Sequence, residues 1–337
     1  MLAEGADGPV TAEAFAAAFA ALESAKCLLL AVSGGPDSTA LAILAARWSK
    51  APNRPRIEVA TVDHALRPQS GQEARAVDEL CRQLGLKHHL LRWIGEKPKT
   101  RIQERARDAR YALLRQCGLD IGAEAIVTAH HADDQAETVL FRLLRGSGIA
   151  GLRGMERCVD LAGVRLARPL LGMRKAALVA TCHDAGRAFA LDASNEDPRF
   201  ARPRLRALLR AFAPEGLTTA TLTRLARRAA QADDALARCA AASDARLAGA
   251  ANASAFLAEP PEIVRRVLAR RICEVAAIPP SAAPLEALEA LALDLGRAAR
   301  EARAHRANLA GVSVALDSVG RLAFAPEAPR RARKAPP

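Results

Sequence analysis

The sequence predicts an α/β domain built on a parallel sheet, followed by a mainly helical domain that ends in a short β-hairpin. Three observations support this prediction. Short apolar runs alternate with amphipathic helical patterns in the first half of the chain. An aromatic content of only 3% and many alanines favour helical packing over a β-sandwich. Residues 217–300 show helical patterns, and residues 311–325 then alternate around a turn at 317–320.

The order of the runs predicts where ligands bind in the first domain. The apolar runs are 27–32, 57–62, 88–93 and 125–128, and the helical patterns between and after them are 38–48, 70–84, 100–117 and 133–144. In an open parallel sheet, ligands bind beyond the carboxyl ends of the strands. We therefore expect the polar residues that follow each apolar run to meet in one cleft.

The chain of 337 residues is long enough for two domains. We predict a helical extension at 1–25, the α/β domain at 26–215, the helical domain at 217–328, and a basic disordered tail at 329–337. No apolar run approaches the roughly 20 residues of a membrane span, and the acidic N-terminus does not resemble a secretory signal. Seven dispersed cysteines without a C-x-x-C pair predict reduced thiols. We therefore expect a cytoplasmic protein without a membrane partner.

The net charge of +12 is concentrated in the second part of the chain. Residues 201–337 hold 22 Lys and Arg against 13 Asp and Glu. Such an excess attracts a polyanion, so nucleic acid is the favoured partner, while solvated arginine-rich helix faces are the alternative. Few aromatic residues are available for base stacking, which argues against a general single-strand binder.

A small polar turn follows the first apolar run and predicts a phosphate site. It consists of Ser33, Gly34, Gly35, Pro36, Asp37 and Ser38. The glycines allow backbone N–H groups to approach an anion, and the following helix directs its positive end at the same point. The turn is neither a Walker A loop nor a G-x-G-x-x-G motif, and it contains no lysine. It therefore suits pyrophosphate as a leaving group, with Asp37 facing Mg²⁺.

Two further segments hold candidate ligands for an anion. His64 and Arg67 follow the second apolar run, and Ser70 with Glu73 has the spacing of a capping box that opens the next helix. In the following helix, Arg107, Arg110 and Tyr111 fall on one or two turns, where arginines could bind a triphosphate or an RNA backbone. A solvated face is the alternative for Arg107, and Tyr111 could belong to the core.

The fourth apolar run ends in a polar segment at residues 128–138. This segment holds His130, His131, Asp133, Asp134 and Glu137. A zinc site is disfavoured, because the i, i+4 histidine pair of H-E-x-x-H is absent. Asp133 could cap the helix. Asp134 and Glu137 lie three residues apart, so they form an anionic pocket suited to an ammonium group.

Segment 191–206 combines turn-forming residues with a cluster of arginines. Asp192, Ser194 and Asn195 favour local turns. The four arginines Arg199, Arg202, Arg204 and Arg206 lie within eight residues and predict a phosphate-binding edge.

The turn S-G-G-x-D-S resembles the signature of the PP-loop enzymes, or N-type ATP pyrophosphatases. Across residues 26–206 the order of motifs resembles the tRNA(Ile)-lysidine synthase family, and its most specific part is H-H-A-D-D-Q-A-E-T continuing into R-G-S-G. The other matching motifs are D-H-A-L-R-P-x-S-x-x-E-A, R-D-A-R-Y, R-P-L-L and D-x-S-N-x-D. One departure is Pro203, which stands where the family usually has Asn in its R-N-R run.

The resemblance implies a Rossmann-like, adenine nucleotide alpha hydrolase-like catalytic domain and a helical domain that binds tRNA. It implies a ligase of tRNA processing that uses ATP and Mg²⁺ to join free L-lysine to C2 of the wobble cytidine of the CAU-anticodon tRNA(Ile). An adenylated cytidine forms with release of pyrophosphate, and AMP leaves in the second step. The product is lysidine, which changes the identity of the tRNA from methionine to isoleucine.

The resemblance also implies roles for individual residues. ATP binds at Ser33–Ser38, Asp37 holds Mg²⁺, and Arg110 contacts the charge of ATP or of the adenylate. Asp134 and Glu137 bind lysine, and His130 or His131 accepts a proton. The helical half contacts the tRNA, and so do Arg202, Arg204 and Arg206 near the end of the α/β domain.

Two alternatives remain open from the sequence. The first is another PP-loop tRNA-modifying enzyme, a base thiolase, although the thiolases that hold a cluster need paired C-x-x-C cysteines, which this chain lacks. The second is a catalytically silent nucleotide-binding or RNA-binding protein, against which Asp37 and the acidic pocket argue. The sequence also leaves the oligomeric state open, with a homodimer as one alternative.

Overall fold

The structure is a computed structural model that describes residues 8–64, 70–95, 100, 102–190, 199, 201–249, 252–279 and 283–327. By its internal contacts the chain divides into two units, Met1–Ala229 and Ala230–Pro337. The described residues do not include Arg67, the predicted turn-forming run 191–198 or the predicted basic tail 329–337. No helix in the described part of the chain is long and apolar enough to cross a membrane.

The first unit alternates strands and helices, as the sequence predicts. Its strands are β1 Cys27–Ala31, β2 Arg56–Asp63, β3 Lys87–Arg92, β4 Ala125–Val127, β5 Cys158–Leu161 and β6 Val164–Ala167. Its helices are α1 Ala12–Phe19, α2 Pro36–Trp48, α3 Ser70–Leu84, α4 Ile102–Asp120, α5 Ala132–Leu143, α6 Ile149–Leu152, α7 Lys175–Asp184 and α8 Ala201–Ala211. Short 3₁₀ turns occur at Ala20–Leu22 and Pro169–Gly172.

The six strands form one sheet in the order β3-β2-β1-β4-β6-β5, parallel except for β5, which pairs antiparallel with β6. Helices cover both faces, so β1 is buried along its whole length. Leu28 and Leu30 of β1 pack in the core formed with α1, α2 and α7, and Leu29 packs in the core formed with α4. The predicted α/β fold with a parallel sheet is confirmed.

The division between the units falls within α9, Thr219–Gly249. The first turns of α9 belong to the first unit, because Leu222 and Ala226 pack with Val139 and Leu140 of α5. The contact-based division therefore falls at residues 229 and 230, and the segment bounds given from the sequence stay predictions.

The second unit is mainly helical and ends in a sheet of three antiparallel strands. Besides the rest of α9 it contains α10 Ser254–Leu257, α11 Pro261–Ala276, α12 Leu285–Arg300, β7 His305–Leu309, β8 Val312–Leu316 and β9 Leu322–Pro326. The predicted hairpin is β8–β9, and Gly320 N donates to Asp317 O in its turn (3.0 Å). Strand β7 was not predicted from the sequence; it is an edge strand whose residues are all at least partly exposed.

The connector after α5 is held by the side chain of Gln135. Met155 N donates to Gln135 Oε1 (2.7 Å), and Gln135 Nε2 donates to Met155 O (3.1 Å). Arg142 Nη1 donates to the carbonyls of Gly151 and Gly154 (2.8 Å each). Gly154 has a φ of +71°, and a Cβ there would lie 2.7 Å from the Gln135 amide. The Gln of H-H-A-D-D-Q is therefore a structural residue.

We predict that Gly154→Ala destabilises the first unit more than Gly122→Ala does. Both glycines are left-handed, with φ of +71° and +67°, but a Cβ at Gly122 meets nothing within 4 Å. Gly122→Ala should cost about 1–2 kcal/mol of backbone strain. Gly154→Ala should cost about 1–3 kcal/mol more, because the Gln135 amide cannot move without losing its bonds to Met155.

Urea unfolding monitored by tryptophan fluorescence measures this difference. Trp48 and Trp93 are the two tryptophans of the chain, and both belong to the first unit. Equal unfolding midpoints for the two variants would contradict the packing of Gly154 against Gln135.

Candidate active site

A cleft of about 1670 Å³ lies at the carboxyl edge of the parallel sheet. It is larger than the roughly 300–1,000 Å³ of a typical small-molecule pocket, so it has room for a nucleotide and a second substrate. The predicted residues that line it are Ser33, Gly35, Pro36, Asp37, Ser38, His64, Ser70, Glu73, Arg110, His130, His131, Asp133, Asp134, Glu137, Arg202, Pro203 and Arg206. Gly34 lies on the same turn but is not part of the lining, and Arg204 and Arg107 do not line the cleft either.

The predicted phosphate turn joins β1 to α2. Gly34 has a φ of +84°, a conformation that favours glycine, and Pro36 is the first residue of α2, where no N–H is needed. Ser33 N donates to Ser38 Oγ (3.1 Å), and Ser38 Oγ donates to Gly35 O (3.1 Å). These bonds hold the turn so that the start of α2 faces the cleft, an arrangement that attracts an anion.

Asp37, in the first turn of α2, contacts His131. His131 Nε2 lies 3.5 Å from Asp37 Oδ2, while Asp37 Oδ1 is buried and has no hydrogen-bond partner among the described residues. Burial raises the pKa of Asp37, but His131, Lys175 and Arg206 outweigh it, and the net pKa is below its ordinary value.

A buried, ionised carboxylate oxygen without a donor is a suitable ligand for a hard cation. Among the described residues, no group of three or more His, Cys, Asp or Glu side chains could hold a metal ion. Mg²⁺ commonly binds through one or two carboxylates together with substrate phosphates. Asp37 therefore fits Mg²⁺ delivered with a phosphate ligand.

His131 is the N-cap of α5 and is buried. Asp134 N donates to His131 Nδ1 (3.4 Å), and His131 N donates to Asp134 Oδ2 (3.2 Å), which together form a capping box. Burial lowers the pKa of His131, but the carboxylates of Asp37, Asp134 and Asp133 raise it to a net value above the ordinary one. When His131 is protonated, its Nδ1 can no longer accept the long hydrogen bond from Asp134 N. The imidazolium then carries a positive charge that faces three carboxylates.

His130 has the opposite titration behaviour. Its Nδ1 lies 2.8 Å from Thr128 Oγ1. Burial lowers the pKa of His130 to about 4, with Arg168 and Arg110 acting in the same direction and Asp134 against it. Near pH 7 His130 is therefore neutral and a weak base, which suits a hydrogen-bonding role better than proton abstraction.

Asp133 does not cap α5, so that interpretation from the sequence is wrong. Its Oδ2 accepts from the backbone N of Lys175 (2.8 Å), and its Oδ1 accepts from Thr219 Oγ1 (3.0 Å). Ala132 N also donates to Met173 O (2.8 Å). Asp133 therefore joins the starts of α5, α7 and α9, since Lys175 and Thr219 are the first residues of α7 and α9.

The expected acidic pocket is partly neutralised by arginines of α8. Arg206 Nε donates to Glu137 Oε1 (2.6 Å), and Arg202 Nη1 lies 3.8 Å from Asp134 Oδ1. Burial raises the pKa of Glu137 more than Arg206 lowers it, so the net pKa is above its ordinary value. Glu137 Oε2 is buried without a hydrogen-bond partner among the described residues.

The three arginines at the start of α8 differ in their surroundings. Arg202 and Arg206 line the cleft, whereas Arg204 does not and donates to Arg199 O (2.9 Å). Pro203 lies in the first turn of α8, where its missing N–H costs no helical hydrogen bond. The substitution of Pro203 for the usual Asn is therefore compatible with the helix.

Arg110 of α4 is a largely buried cation in the cleft. Its guanidinium makes no hydrogen bond or ion pair within the described part of the chain. Burial and the neighbouring Arg107 lower its pKa, so an anionic ligand would relieve an unfavourable charge. Arg107 is exposed, and its guanidinium carbon lies 5.1 Å from the centre of the Tyr111 ring. Tyr111 packs against the core, which was one alternative from the sequence.

Two further basic residues that were not predicted from the sequence, Arg174 and Lys175, also line the cleft. They come from the start of α7, after the R-P-L-L motif and the 3₁₀ turn Pro169–Gly172. The only signal was two adjacent basic residues following a short strand of the sheet. No local pattern tells that their helix begins beside the phosphate turn.

The sequence of the chain is similar to those of known proteins. Residues 10–212 match the PP-loop domain family. The chain is 48% identical over 328 residues to the tRNA(Ile)-lysidine synthase of Rhodopseudomonas palustris, and the match covers 94% of each chain. It is 44% identical over 354 aligned positions to the tRNA(Ile)-lysidine synthase of Bradyrhizobium diazoefficiens, and the match covers 97% of each chain.

The fold also resembles the solved structure of the U34-tRNA thiolase NcsA from Methanococcus maripaludis with its 4Fe-4S cluster. The TM-score is 0.55 at 13% identity, and the match covers 64% of this chain and 77% of that chain. At this identity the likeness shows a shared fold and no shared activity.

We predict that the two adjacent histidines titrate on opposite sides of the ordinary histidine pKa of about 6.5. NMR of histidine-labelled protein should show His130 titrating near pH 4 and His131 above its ordinary value. The chain has seven histidines, so spectra of His130→Gln and His131→Gln assign the two signals. Titration of both near 6.5 would disprove the charge distribution described for the cleft.

The lowered pKa of His130 predicts how the free energy of unfolding depends on pH. Because the pKa of His130 is lower in the folded state, the unfolded state binds the proton first as the pH falls below 6.5. Relative to His130→Gln, the wild-type protein should lose about 3 kcal/mol of unfolding free energy between pH 6.5 and pH 4. Urea titrations at several pH values measure this difference, and a constant difference would contradict it.

Proposed function

The chain belongs to the tRNA(Ile)-lysidine synthase family, and we propose that it joins lysine to C2 of the wobble cytidine of the CAU-anticodon tRNA(Ile) at the expense of ATP. The observation that carries the proposal is 48% identity across 94% of a named member. The cleft supports it, because the phosphate turn, Arg110 and the carboxylates of Asp134 and Glu137 line one cavity.

In the first step, the cytosine O2 attacks the α-phosphorus of ATP, and the bond to the β-phosphate oxygen breaks with release of pyrophosphate. The residues 33–38 bind the phosphates through the turn and the start of α2. Asp37 would hold Mg²⁺, which would supply neutralisation of negative charge on the phosphate oxygens. Arg110 contributes an uncompensated positive charge to the same cavity. Adenylation turns a poor leaving group into a good one, and the cleft keeps the reactants close.

In the second step, the ε-amine of lysine attacks C2, the C2–O bond breaks, and AMP leaves with the bonding electrons. Asp134 and Glu137 bind lysine through an ammonium group. Since Arg206 and Arg202 contact these carboxylates in the structure, the lysine ammonium replaces a guanidinium contact when it binds. The ε-nitrogen loses a proton as its bond to C2 forms, and His131, whose pKa is raised, accepts that proton more readily than His130 does.

We assign the tRNA to the basic second part of the chain. The exposed Arg204 contacts the phosphate backbone, and Arg202 and Arg206 contact the nucleotide that enters the cleft. A tRNA substrate implies action in the cytoplasm. A homodimer stays one alternative for the oligomeric state.

The thiolase alternative is not supported by the cysteines. None of the seven cysteines lines the cleft. Cys182 comes nearest to the phosphate turn, and its Sγ donates to Pro36 O (3.4 Å). Burial raises its pKa to about 11, so the nucleophilic thiolate is scarce at neutral pH.

We predict that AMP and pyrophosphate release requires both the tRNA and lysine. The assay contains purified protein, ATP, Mg²⁺ and a tRNA(Ile) transcript with a CAU anticodon, with and without lysine. A transcript whose wobble cytidine is replaced by uridine is the control. Turnover that needs the tRNA but is indifferent to lysine would show a different nucleophile and refute the proposal.

We predict that Asp37→Asn lowers pyrophosphate release by at least about 100-fold, since an amide replaces the only proposed carboxylate ligand of Mg²⁺. Binding of tRNA, measured by filter retention, should be unchanged. Asp184→Asn is the matched control, because Asp184 is an exposed residue of α7 that pairs only weakly with Arg47 (3.8 Å). Full activity in Asp37→Asn would refute the metal role.

A further inference from the structure

The phosphate turn itself contains no cation. Residues 33–38 supply hydroxyl groups, backbone N–H groups and the start of a helix, but no lysine or arginine. Cleavage between the α- and β-phosphates places new negative charge on the departing pyrophosphate. A site that releases pyrophosphate therefore needs positive charge near the β- and γ-phosphates.

Lys175 lies where it can provide this charge. It is the first residue of α7, and its backbone N donates to Asp133 Oδ2 (2.8 Å). Together with the bond from Ala132 N to Met173 O (2.8 Å), this contact fixes the start of α7 against the start of α5. The half-buried Lys175 lines the same cavity as Ser33 and Asp37. Its charge also acts on Asp37, whose pKa it helps to lower.

The ammonium of Lys175 is uncompensated, unlike most cations around it. Arg174 lies 3.7 Å from Asp133, Arg202 lies 3.8 Å from Asp134, and Arg206 bonds to Glu137. Lys175 Nζ makes no hydrogen bond or ion pair with any residue that the structure describes. Of the basic side chains in the cleft, Lys175 is thus one that is available to an anion without breaking an existing contact.

We propose that Lys175 binds the β- and γ-phosphates of ATP and the pyrophosphate that leaves. When the bond between the α-phosphorus and the bridging oxygen breaks, its electron pair stays on the pyrophosphate oxygen, and the Lys175 ammonium stabilises that charge without giving up a proton. The role in turnover rests on the proposed function. The binding of phosphates does not, because it requires neither tRNA nor lysine.

Three ligands that differ in their phosphate groups test the proposal. Dissociation constants are measured by calorimetry in Mg²⁺ buffer for ATP, pyrophosphate and AMP, which lacks the β- and γ-phosphates. For Lys175→Met we expect about 10- to 100-fold weaker binding of ATP and pyrophosphate, as for loss of a charged hydrogen bond. Binding of AMP should change less than about twofold, which also shows that the variant is folded.

Two further variants complete the comparison. Lys175→Arg retains a cation and should recover part of the ATP affinity, although its geometry differs. Lys50→Met is the matched control, because Lys50 is exposed just beyond the end of α2 and does not line the cleft. It should bind all three ligands as the wild-type protein does.

A measurement on the unaltered protein removes the dependence on a folded variant. Acetylation of lysines in the wild-type protein is followed by mass spectrometry, and pyrophosphate should protect Lys175 while AMP should not. Equal protection by both ligands, or none by either, overturns the proposal.

The binding results separate the remaining outcomes. Equal losses of AMP and ATP affinity in Lys175→Met would show that Lys175 only maintains the site around Asp37, and unchanged affinities would show no role. Both results overturn the proposal. Selective loss of ATP and pyrophosphate binding supports it even if the wild-type protein makes no lysidine, so failure of the proposed function is recognised separately.

Discussion

The parallel pairing of β1 with β4 is the constraint on which the cleft depends. Leu28 pairs with Ala125 and Leu30 with Val127, so both strands end at the same edge of the sheet. The phosphate turn follows β1, and His130 and His131 follow β4. Burial of β1 on both faces fixes this register, because a slip by one residue would exchange the side chains that face the two cores. The contact between Asp37 and His131 is a consequence of that pairing.

The cleft balances its charges through contacts between helices that are distant in sequence. Glu137 of α5 is bonded to Arg206 of α8, and Asp133 of α5 is bonded to the start of α7. A buried carboxylate is stable only with such partners. Arg110 and Lys175 lack a partner in the described residues. The described part of the protein therefore leaves these two positive charges of the cleft without a counter-charge in contact with them.

Much of the fold and of the site could be predicted from the sequence, because both depend on local patterns. The apolar runs specify the sheet, and the glycines and Pro36 specify the turn between β1 and α2. The sequence could not tell Arg204 from Arg202 and Arg206, since their different surroundings depend on how α8 packs against α5. Lys175 was missed because its place in the cleft depends on how the start of α7 packs against the start of α5. The edge strand β7 was missed because its exposed residues lack the apolar signal of a buried strand.

Asp133 lies in the most conspicuous motif of the chain, yet both of its oxygens are engaged by other parts of the protein. One accepts from the backbone of Lys175 and the other from the hydroxyl of Thr219. Inactivation by an alanine at this position would therefore not identify a participant in chemistry. It would report the loss of the joint that aligns three helices around the cleft, and a mutational survey of this motif has to separate such joints from the groups that touch the substrates.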